Sequence, residues 1–210
     1  MRYLVGILFM AVVGLAQATQ LQGVGSFQIL NEPVFVVGLF AQDNRFAAGQ
    51  KQQNEAAVAE KLEFKVVDDK ISIRRYRQLW QDVFAVAQGR DVWDAHSADL
   101  QTFFQVIKGP LVNNDQIVLE RKDSATIVSV NYRQHAVLSA EFLDLMVSTL
   151  TARIAPVPEL RAGLLGELPA DESNDLLRQF DRSEPTLGRI SQTARWLRIK
   201  EDDEPQVSQL

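Results

Sequence analysis

Residues 23–40 read GVGSFQILNEPVFVVGLF and contain two runs rich in β-branched and aromatic residues, on either side of Asn31-Glu32-Pro33. Both residue classes favour strands, because their side chains pack well on a half-buried pleated surface. Asparagine and proline favour a turn, since asparagine tolerates a positive φ and proline fixes its own φ. The stretch therefore predicts an antiparallel hairpin.

Two further regions predict more strands of an antiparallel sheet. Residues 61–67, KLEFKVV, largely alternate charged and apolar side chains with the period of two that places them on opposite faces of a strand. This pattern predicts a strand with one buried and one solvated face. Residues 115–121 and 126–132 are rich in strand formers and flank the polar stretch 122–125, which predicts a second hairpin.

Helical periodicity separates and follows these strands. After Asp68-Asp69, apolar side chains from Tyr76 to Ala87 recur three and four positions apart, which predicts an amphipathic helix that ends near Gly89. Similar patterns predict a helix over 94–107, another over 140–154 and a short one over 158–166. The order of strands, helices, strands and helices is typical of an α+β protein with an antiparallel sheet.

The composition bounds the class of protein. The chain has 210 residues, of which 46% are hydrophobic and 23% charged, and this suits one globular domain. Its formal net charge of -5 gives no overall positive field for a phosphate backbone, so no nucleic-acid partner is expected. Because the chain has no cysteine, it has no residue for a disulfide, a thiolate metal site or an acylated N-terminus.

Residues 1–18, MRYLVGILFMAVVGLAQA, have the three parts of a secretory signal peptide. A basic start precedes an apolar run over residues 3–16, and the small-x-small motif AQA closes the segment. The apolar run is shorter than the roughly 20 residues that span a bilayer as a helix. We therefore expect cleavage between Ala18 and Thr19 and no stable membrane anchor. In a Gram-negative bacterium the mature protein is expected in the periplasm.

The remaining chain divides into two parts of different character. We expect residues 19–166 to form the folded domain. Residues 167–210 are richer in charged side chains and are expected to form a charged, partly disordered appendage. Within this appendage, the apolar residues Leu176, Leu177 and Phe180 predict one short docked helix.

Sequence motifs for catalysis and cofactor binding do not occur in the chain. His96 and His135 are isolated, and neither belongs to a two-histidine metal motif. The hydrolase elbow G-x-S-x-G and the phosphate-binding loop G-x-x-x-x-G-K-[ST] are absent from the sequence. The pair Gly23 and Gly25 lacks the third glycine of a dinucleotide fingerprint. We therefore predict no catalytic residue, no metal site and no cofactor.

The start of the first long predicted helix, which ends near Gly89, is a candidate anion site. Arg74 and Arg75, with Lys70 and Arg77 close by, place several cations at the beginning of a helix. Free backbone N–H groups there already favour an anion, and guanidinium groups add hydrogen bonds to a carboxylate or phosphate. The alternative is a solvated helix face whose cations pair with neighbouring aspartates.

The same helix carries an aromatic stripe of Tyr76, Trp80 and Phe84, spaced four residues apart. Such a stripe lines an apolar pocket if the space between sheet and helix is not filled, and is core packing if it is filled. The ligand-binding hypothesis combines these three residues as an apolar lining with Arg74 or Arg75 as the anion contact.

The order of these pieces, together with several short motifs, resembles the chalcone isomerase-like family, in particular its exported bacterial branch. The resemblance spans about Leu21 to Gly166. It depends on Gly23-Val24-Gly25 before an apolar strand, Ile73-Arg74-Arg75 at a basic helix start, and Leu79-Trp80 in that helix. The closing stretch PELRAGLLG, residues 158–166, is the most specific motif.

This resemblance implies an open-faced α+β sandwich, in which helices cover a curved antiparallel sheet and a cleft lies between them. Members of the family either close a chalcone to a flavanone by intramolecular Michael addition or bind fatty acids. Both activities use an arginine that closely follows the glycine motif, where this chain reads Ser26-Phe27-Gln28. Without a guanidinium to stabilise the oxyanion, the resemblance implies a non-catalytic member with no catalytic residue carried over.

The leading hypothesis from the sequence is a non-catalytic periplasmic protein that binds a hydrophobic small molecule, a fatty acid or another lipid in the cleft between sheet and helices. Two alternatives remain open. One is an interaction or structural protein of the cell envelope that acts through its surface and C-terminal tail. The other is an intramolecular lyase or isomerase with relocated catalytic groups.

Overall fold

The structure of the chain is a computed structural model that describes residues 19–41 and 58–198. The predicted signal peptide, residues 1–18, lies outside the described residues, and so does the charged end of the predicted appendage from residue 199. The predictions made for these two stretches therefore stay predictions.

The predicted strands and helices occur in the predicted order, together with further elements that the sequence did not predict. The strands are β1 (Gln20–Ile29), β2 (Glu32–Ala41), β3 (Ala59–Val66), β4 (Lys70–Ile71), β5 (Leu111–Val112), β6 (Gln116–Lys122), β7 (Ala125–Val130) and β8 (Arg133–Ser139). The helices are α1 (Ile73–Ala87), α2 (Arg90–Ala95), α3 (Ser97–Gln105), α4 (Phe142–Leu150), α5 (Pro158–Leu164), α6 (Ala170–Arg182) and α7 (Leu187–Ala194), followed by a 3₁₀ turn (Arg195–Arg198).

One antiparallel sheet in the order β1-β2-β3-β6-β7-β8 organises the domain, and β4 and β5 pair in a separate ribbon. The inner face of this sheet packs against helices: α5 contacts β1 and β2, α4 contacts β3 and β6, and α3 contacts β8. Helix α1 lies against α3 and α4 and buries the aromatic side chains of its inward face. The predicted α+β fold, a curved antiparallel sheet covered by helices, is confirmed.

Two tight turns join neighbouring strands through residues with positive φ. Leu30 and Asn31, with φ of 51° and 67°, connect β1 to β2, so the turn precedes the predicted position at residues 31–33. Asn131 and Tyr132, with φ of 46° and 67°, connect β7 to β8 in the same way. Two-residue turns with positive φ match the right-handed twist of the strands they join. The second turn leads into β8, a strand that was not predicted from the sequence.

The helix predicted over 94–107 is in fact two helices. Helix α2 begins earlier, at Arg90, and His96 separates it from α3 with φ of -110° and ψ of 16°, outside the helical range. The carboxylate of Asp99, in the first turn of α3, accepts hydrogen bonds from the backbone N–H and hydroxyl of Ser139. This contact ties the start of α3 to the edge strand β8.

Glycines let α5 pack directly on β1. A Cβ atom added at Gly163 would lie 2.3 Å from the Cα of Gly25, and one added at Gly25 would lie 2.5 Å from the carbonyl oxygen of Leu160. A Cβ atom at Gly23 would lie 2.4 Å from the carbonyl oxygen of Gly163. The Gly23-Val24-Gly25 motif and the PELRAGLLG stretch therefore face each other, and both serve backbone contact between strand and helix.

Residues 167–198, which we call the C-terminal segment, cover part of the outer face of the sheet. Helix α6 contacts β1 and β2, and the Phe180 ring lies so close to Gly38 that a Cβ atom there would approach it to 2.8 Å. Phe180 joins Val24 and Val36 in a small apolar cluster separate from the main core. The predicted short helix is present as part of α6, whereas α7 was not predicted.

The prediction that β3 has one solvated face is wrong, because the C-terminal segment buries that face. The side chains of Lys65 and Glu63 are only 3% and 8% exposed and lie 3.2 Å apart. The Nζ of Lys65 also donates to the carbonyl oxygen of Ser183 at 2.8 Å and pairs with the carboxylate of Glu184 at 2.7 Å. Charges buried in this way need such partners to offset their lost hydration.

A second buried ion pair fixes α7. The guanidinium of Arg189 binds both carboxylate oxygens of Asp115, with Nη2 to Oδ2 at 2.7 Å and Nε to Oδ1 at 2.9 Å. Asp115 is fully buried, and its oxygens also accept from the Nδ2 of Asn131 and the backbone N–H of Val112, at 2.8 and 2.9 Å. The C-terminal segment is therefore held by directed contacts as well as by apolar burial.

Candidate functional site

The aromatic residues predicted to line a ligand pocket lie in the core. Tyr76 and Trp80 are fully buried, and Phe84 is 1% exposed. The Trp80 indole is surrounded by other rings, with centroid distances of 5.3 Å to both Phe64 and Phe103. None of the three predicted residues lines a described groove. The space between sheet and α1 is thus occupied by side chains.

Two polar atoms in this aromatic layer lack a strong hydrogen bond to any described residue. The hydroxyl of Tyr76 donates to the carbonyl oxygen of Phe103 over 3.5 Å, at the limit of a hydrogen bond. The Nε1 of Trp80 has no hydrogen-bond partner of good geometry among the described residues. Burial raises the pKa of the Tyr76 hydroxyl well above its usual value, and an interaction with Trp80 opposes that change. Tyr76 is therefore neutral at physiological pH.

The three arginines at the start of α1 have different surroundings. Arg75 pairs with the carboxylate of Asp68 at 2.6 Å, as the alternative of a paired helix face expects. Arg74 is exposed. Arg77 is half-buried, and its Nε donates to the carbonyl oxygen of Phe104 at 3.3 Å. The structure therefore places Arg77, three residues and about one helical turn beyond Arg74, against α3.

Phe27 occupies the region in which the resemblance to the chalcone isomerase-like family expects an arginine. Its side chain is 1% exposed and points to the inner face of the sheet. Its ring centroid lies 5.9 Å from that of Phe35 and 6.0 Å from that of Trp80. Ser26 and Gln28, on either side, hydrogen-bond each other through their side chains at 3.2 Å. The inner position is therefore apolar and contributes to the aromatic core.

A groove of about 370 Å³, which we call the α1–α3 groove, opens on the outside of the helical layer. Its lining comes from all three of the first helices and is Arg77, Gln81, Trp93, Ser97, Leu100, Gln101, Phe104 and Gln105. Leu100 and Phe104 form a buried floor, and the Trp93 ring lies against Phe104 with centroids 5.9 Å apart. The groove therefore combines apolar rings with a polar rim.

Among the described residues that line this groove, Arg77 is the one with a charged side chain. Its hydrogen bond to the carbonyl of Phe104 places a cation at the end of α3, where helix carbonyls favour positive charge. The guanidinium is thereby fixed beside the apolar floor. A carboxylate is a geometric match for such a group, because two parallel N–H donors can bind its two oxygens.

A second groove, of about 300 Å³, lies between α3, β8 and the 3₁₀ turn, and its lining includes His135, Lys108 and Trp196. The rings of His135 and Trp196 meet edge to face with centroids 6.2 Å apart. Burial lowers the pKa of His135 to about 4, so the imidazole is neutral at physiological pH. The lining gives no combination of groups as specific as that of the α1–α3 groove.

Sequence reasoning identified the arginine-rich helix start but did not identify the groove. Leu100 and Phe104 were part of the helix predicted over 94–107, whereas Trp93 lay outside it, and the helical spacing gives no indication that the three meet Arg77. Among residues 19–41 and 58–198, no helix has both the length and the hydropathy to cross a bilayer.

Comparison with known proteins adds one observation. No protein-family model matches the chain, and no curated protein matches it by sequence. Its structure is similar to the crystal structure of a fatty-acid binding protein of Arabidopsis thaliana, AtFAP1, with a TM-score of 0.52 and 17% sequence identity. The match covers 80% of this chain and 93% of the plant protein. At this identity, the similarity shows that the two chains share a fold.

Proposed function

We propose that the protein binds a hydrophobic small molecule with an anionic head group, such as a fatty acid, in the α1–α3 groove. The observation that carries this proposal is the combination of one fixed guanidinium with a floor of Trp93, Leu100 and Phe104. The shared fold with a fatty-acid binding protein supports the same class of ligand.

The groove is suited to an amphiphile rather than to a purely polar ligand. Its volume of about 370 Å³ is within the range of small-molecule sites, which are mostly apolar with a few placed polar groups. Each methylene group of a chain that leaves water on this floor contributes roughly 0.8 kcal/mol. Gln81, Gln101 and Gln105 provide further hydrogen-bond donors at the rim for the head group.

This proposal keeps the ligand class expected from the sequence but moves the site. The space between sheet and α1, where the sequence placed the ligand, holds Tyr76, Trp80 and Phe84 themselves. Among the predicted cations, Arg74 lies on the same face of α1 as Arg77 and about one turn before it. It adds positive charge on the approach to the groove.

The proposed function also includes a location in the periplasm and a binding role without catalysis. Support for export comes from residues 1–18, whose pattern is that of a cleavable signal peptide. Support for a binding role comes from the apolar replacement at Phe27, because it leaves no guanidinium on the inner face of β1 for an oxyanion.

The alternative of a tail-mediated interaction protein has less support from the contacts. Phe180 packs on Gly38, and Lys65 of the sheet pairs with Glu184 of the C-terminal segment. In the described part of this segment, Phe180 and Glu184 therefore contact its own domain.

Titration of the protein with dodecanoate by isothermal calorimetry tests the proposed site. We expect saturable binding that is about tenfold weaker in Arg77→Gln, because a charge-assisted hydrogen bond contributes about 1.5–3 kcal/mol. Trp93→Ala is expected to weaken binding by a similar factor through loss of apolar contact.

Arg153→Gln is the charge-matched control, since Arg153 is exposed and lies outside the groove lining. Its affinity should equal that of the unmodified protein. The proposed site is wrong if dodecanoate shows no saturable binding, or if Arg77→Gln and Trp93→Ala both bind it as Arg153→Gln does.

A further inference from the structure

A separate polar groove lies on the other side of the molecule, where the C-terminal segment meets the domain. This α6 groove has a volume of about 410 Å³. One wall is α6 with its following residue, and the other is the β5–β6 turn with the end of β3. Its lining is Val67, Asn113, Asn114, Asp175, Arg178, Gln179, Arg182 and Ser183.

The groove presents two guanidinium groups on the same helix. Arg178 and Arg182 are four residues apart, so they lie on one face of α6. Arg178 pairs with Asp175, the only acidic residue among the described residues of the lining. Arg182 has no ion pair with any residue in the part of the chain that the structure describes. The lining is therefore locally positive in a chain whose formal net charge is -5.

The opposite wall supplies amide groups. Asn113 donates through Nδ2 to the carbonyl oxygen of Val67 at 2.9 Å, which fixes its side chain at the edge of the groove. Asn114 follows with a φ of 68°, in the turn between β5 and β6. Gln179 adds a third carboxamide from α6. Val67 is the only apolar residue among those described in this lining, in contrast to the aromatic floor of the α1–α3 groove.

We propose that the α6 groove binds a phosphate monoester. A phosphate group offers several oxygens that accept hydrogen bonds from guanidinium forks and amide N–H groups at the same time. Arg182 is the main contact, and Arg178, Asn114 and Gln179 surround the same space. The small apolar share of the lining leaves little surface for an acyl chain or a ring.

Such a ligand would bridge two parts of the chain that are distant in sequence. The amide wall belongs to the domain, whereas both arginines belong to the C-terminal segment. Because a ligand that binds only the folded state stabilises it, phosphate binding should hold the segment more firmly on the sheet. This inference does not depend on the α1–α3 groove, so either proposal can fail without the other.

The test is a titration of the full mature chain with glycerol 3-phosphate, followed by NMR of the side-chain amides of Asn114 and Gln179. It is made at low ionic strength in a buffer without phosphate, because screening weakens contacts between exposed charges. We expect saturable shifts of both amide groups and at least about fivefold weaker binding in Arg182→Gln. Arg195→Gln, a change of an exposed arginine outside this lining, should bind as the unmodified protein does.

Vesicles of phosphatidylcholine with and without phosphatidic acid distinguish the source of the phosphate. Binding to soluble glycerol 3-phosphate supports a free metabolite. Binding only to vesicles that contain phosphatidic acid, with the same dependence on Arg182, supports a lipid head group of the same chemistry. The proposal is overturned if neither probe shifts the two amide groups, or if Arg182→Gln and Arg195→Gln behave alike with both.

Discussion

Replacing Arg189 by alanine is expected to lower the free energy of unfolding by about 3–5 kcal/mol. The carboxylate of Asp115 is fully buried and receives three of its hydrogen bonds from this guanidinium. The variant leaves that charge with the Asn131 amide and the Val112 N–H as its remaining donors. Removing one partner of a buried pair is costly, because the other charge keeps its desolvation without its compensation.

Urea unfolding followed by circular dichroism measures this effect as a shift of the midpoint at an unchanged slope. Arg195→Ala is the control, since Arg195 is exposed near the same end of the chain and should change stability by less than about 0.5 kcal/mol. If Arg189→Ala and Arg195→Ala unfold at the same urea concentration, the buried pair does not hold the C-terminal segment as described.

Replacing Gly163 by valine is the second change with a large expected effect. Even the first added carbon would lie 2.3 Å from the Cα of Gly25, a backbone atom that cannot rotate away. Helix α5 would have to move off β1, and the loss should be at least about 3 kcal/mol, at the upper end of the usual cost of overpacking. The expected outcome is an insoluble protein or one with a much lower midpoint of thermal unfolding.

Gly188→Ala provides a matched control for this second prediction. A Cβ atom there meets only the hydroxyl oxygen of Thr186, at 4.0 Å, and Gly188 lies in the first turn of α7. Because alanine is the better helix former, this variant should be as stable as the unmodified protein or slightly more so. A Gly163→Val protein that unfolds at the temperature of Gly188→Ala would contradict the close packing of α5 on β1.

The first hairpin, the second hairpin and α1 were predictable because their signals are local. Their side-chain periods of two or of three and four residues are read within one short stretch, and the packing of the sheet agrees with them. Strand β8 was not predicted, since its turn at Asn131 and Tyr132 lacks the glycine that usually marks positive φ.

The position of the C-terminal segment was not predictable from its own residues. Its buried Phe180 ring fits against Gly38, and Arg189 pairs with Asp115, which directly precedes β6. These partners are more than 70 positions apart in the chain, so no local pattern relates them. For the same reason the charged residues of β3 resembled a solvated face although they are buried.

Part of the candidate site could be predicted from sequence patterns and part could not. The excess of arginine at the start of α1 predicts an anion contact on that helix, and the proposed site places one there. The choice among Arg74, Arg75 and Arg77 depends on how α1 is rotated relative to α3, and helical spacing alone does not give that rotation. The aromatic stripe was consistent with a core and with a pocket, and the structure places its three members in the core.

Photo-crosslinking with a diazirine-bearing fatty acid tests the central proposal most directly, because it reports where the ligand lies. Trypsin releases residues 91–108, which contain Trp93, Leu100 and Phe104, separately from residues 78–90, which contain Trp80 and Phe84. In the unmodified mature chain we expect saturable labelling of 91–108, which excess dodecanoate removes. Labelling confined to 78–90, or no saturable labelling of either peptide, would contradict binding in the α1–α3 groove.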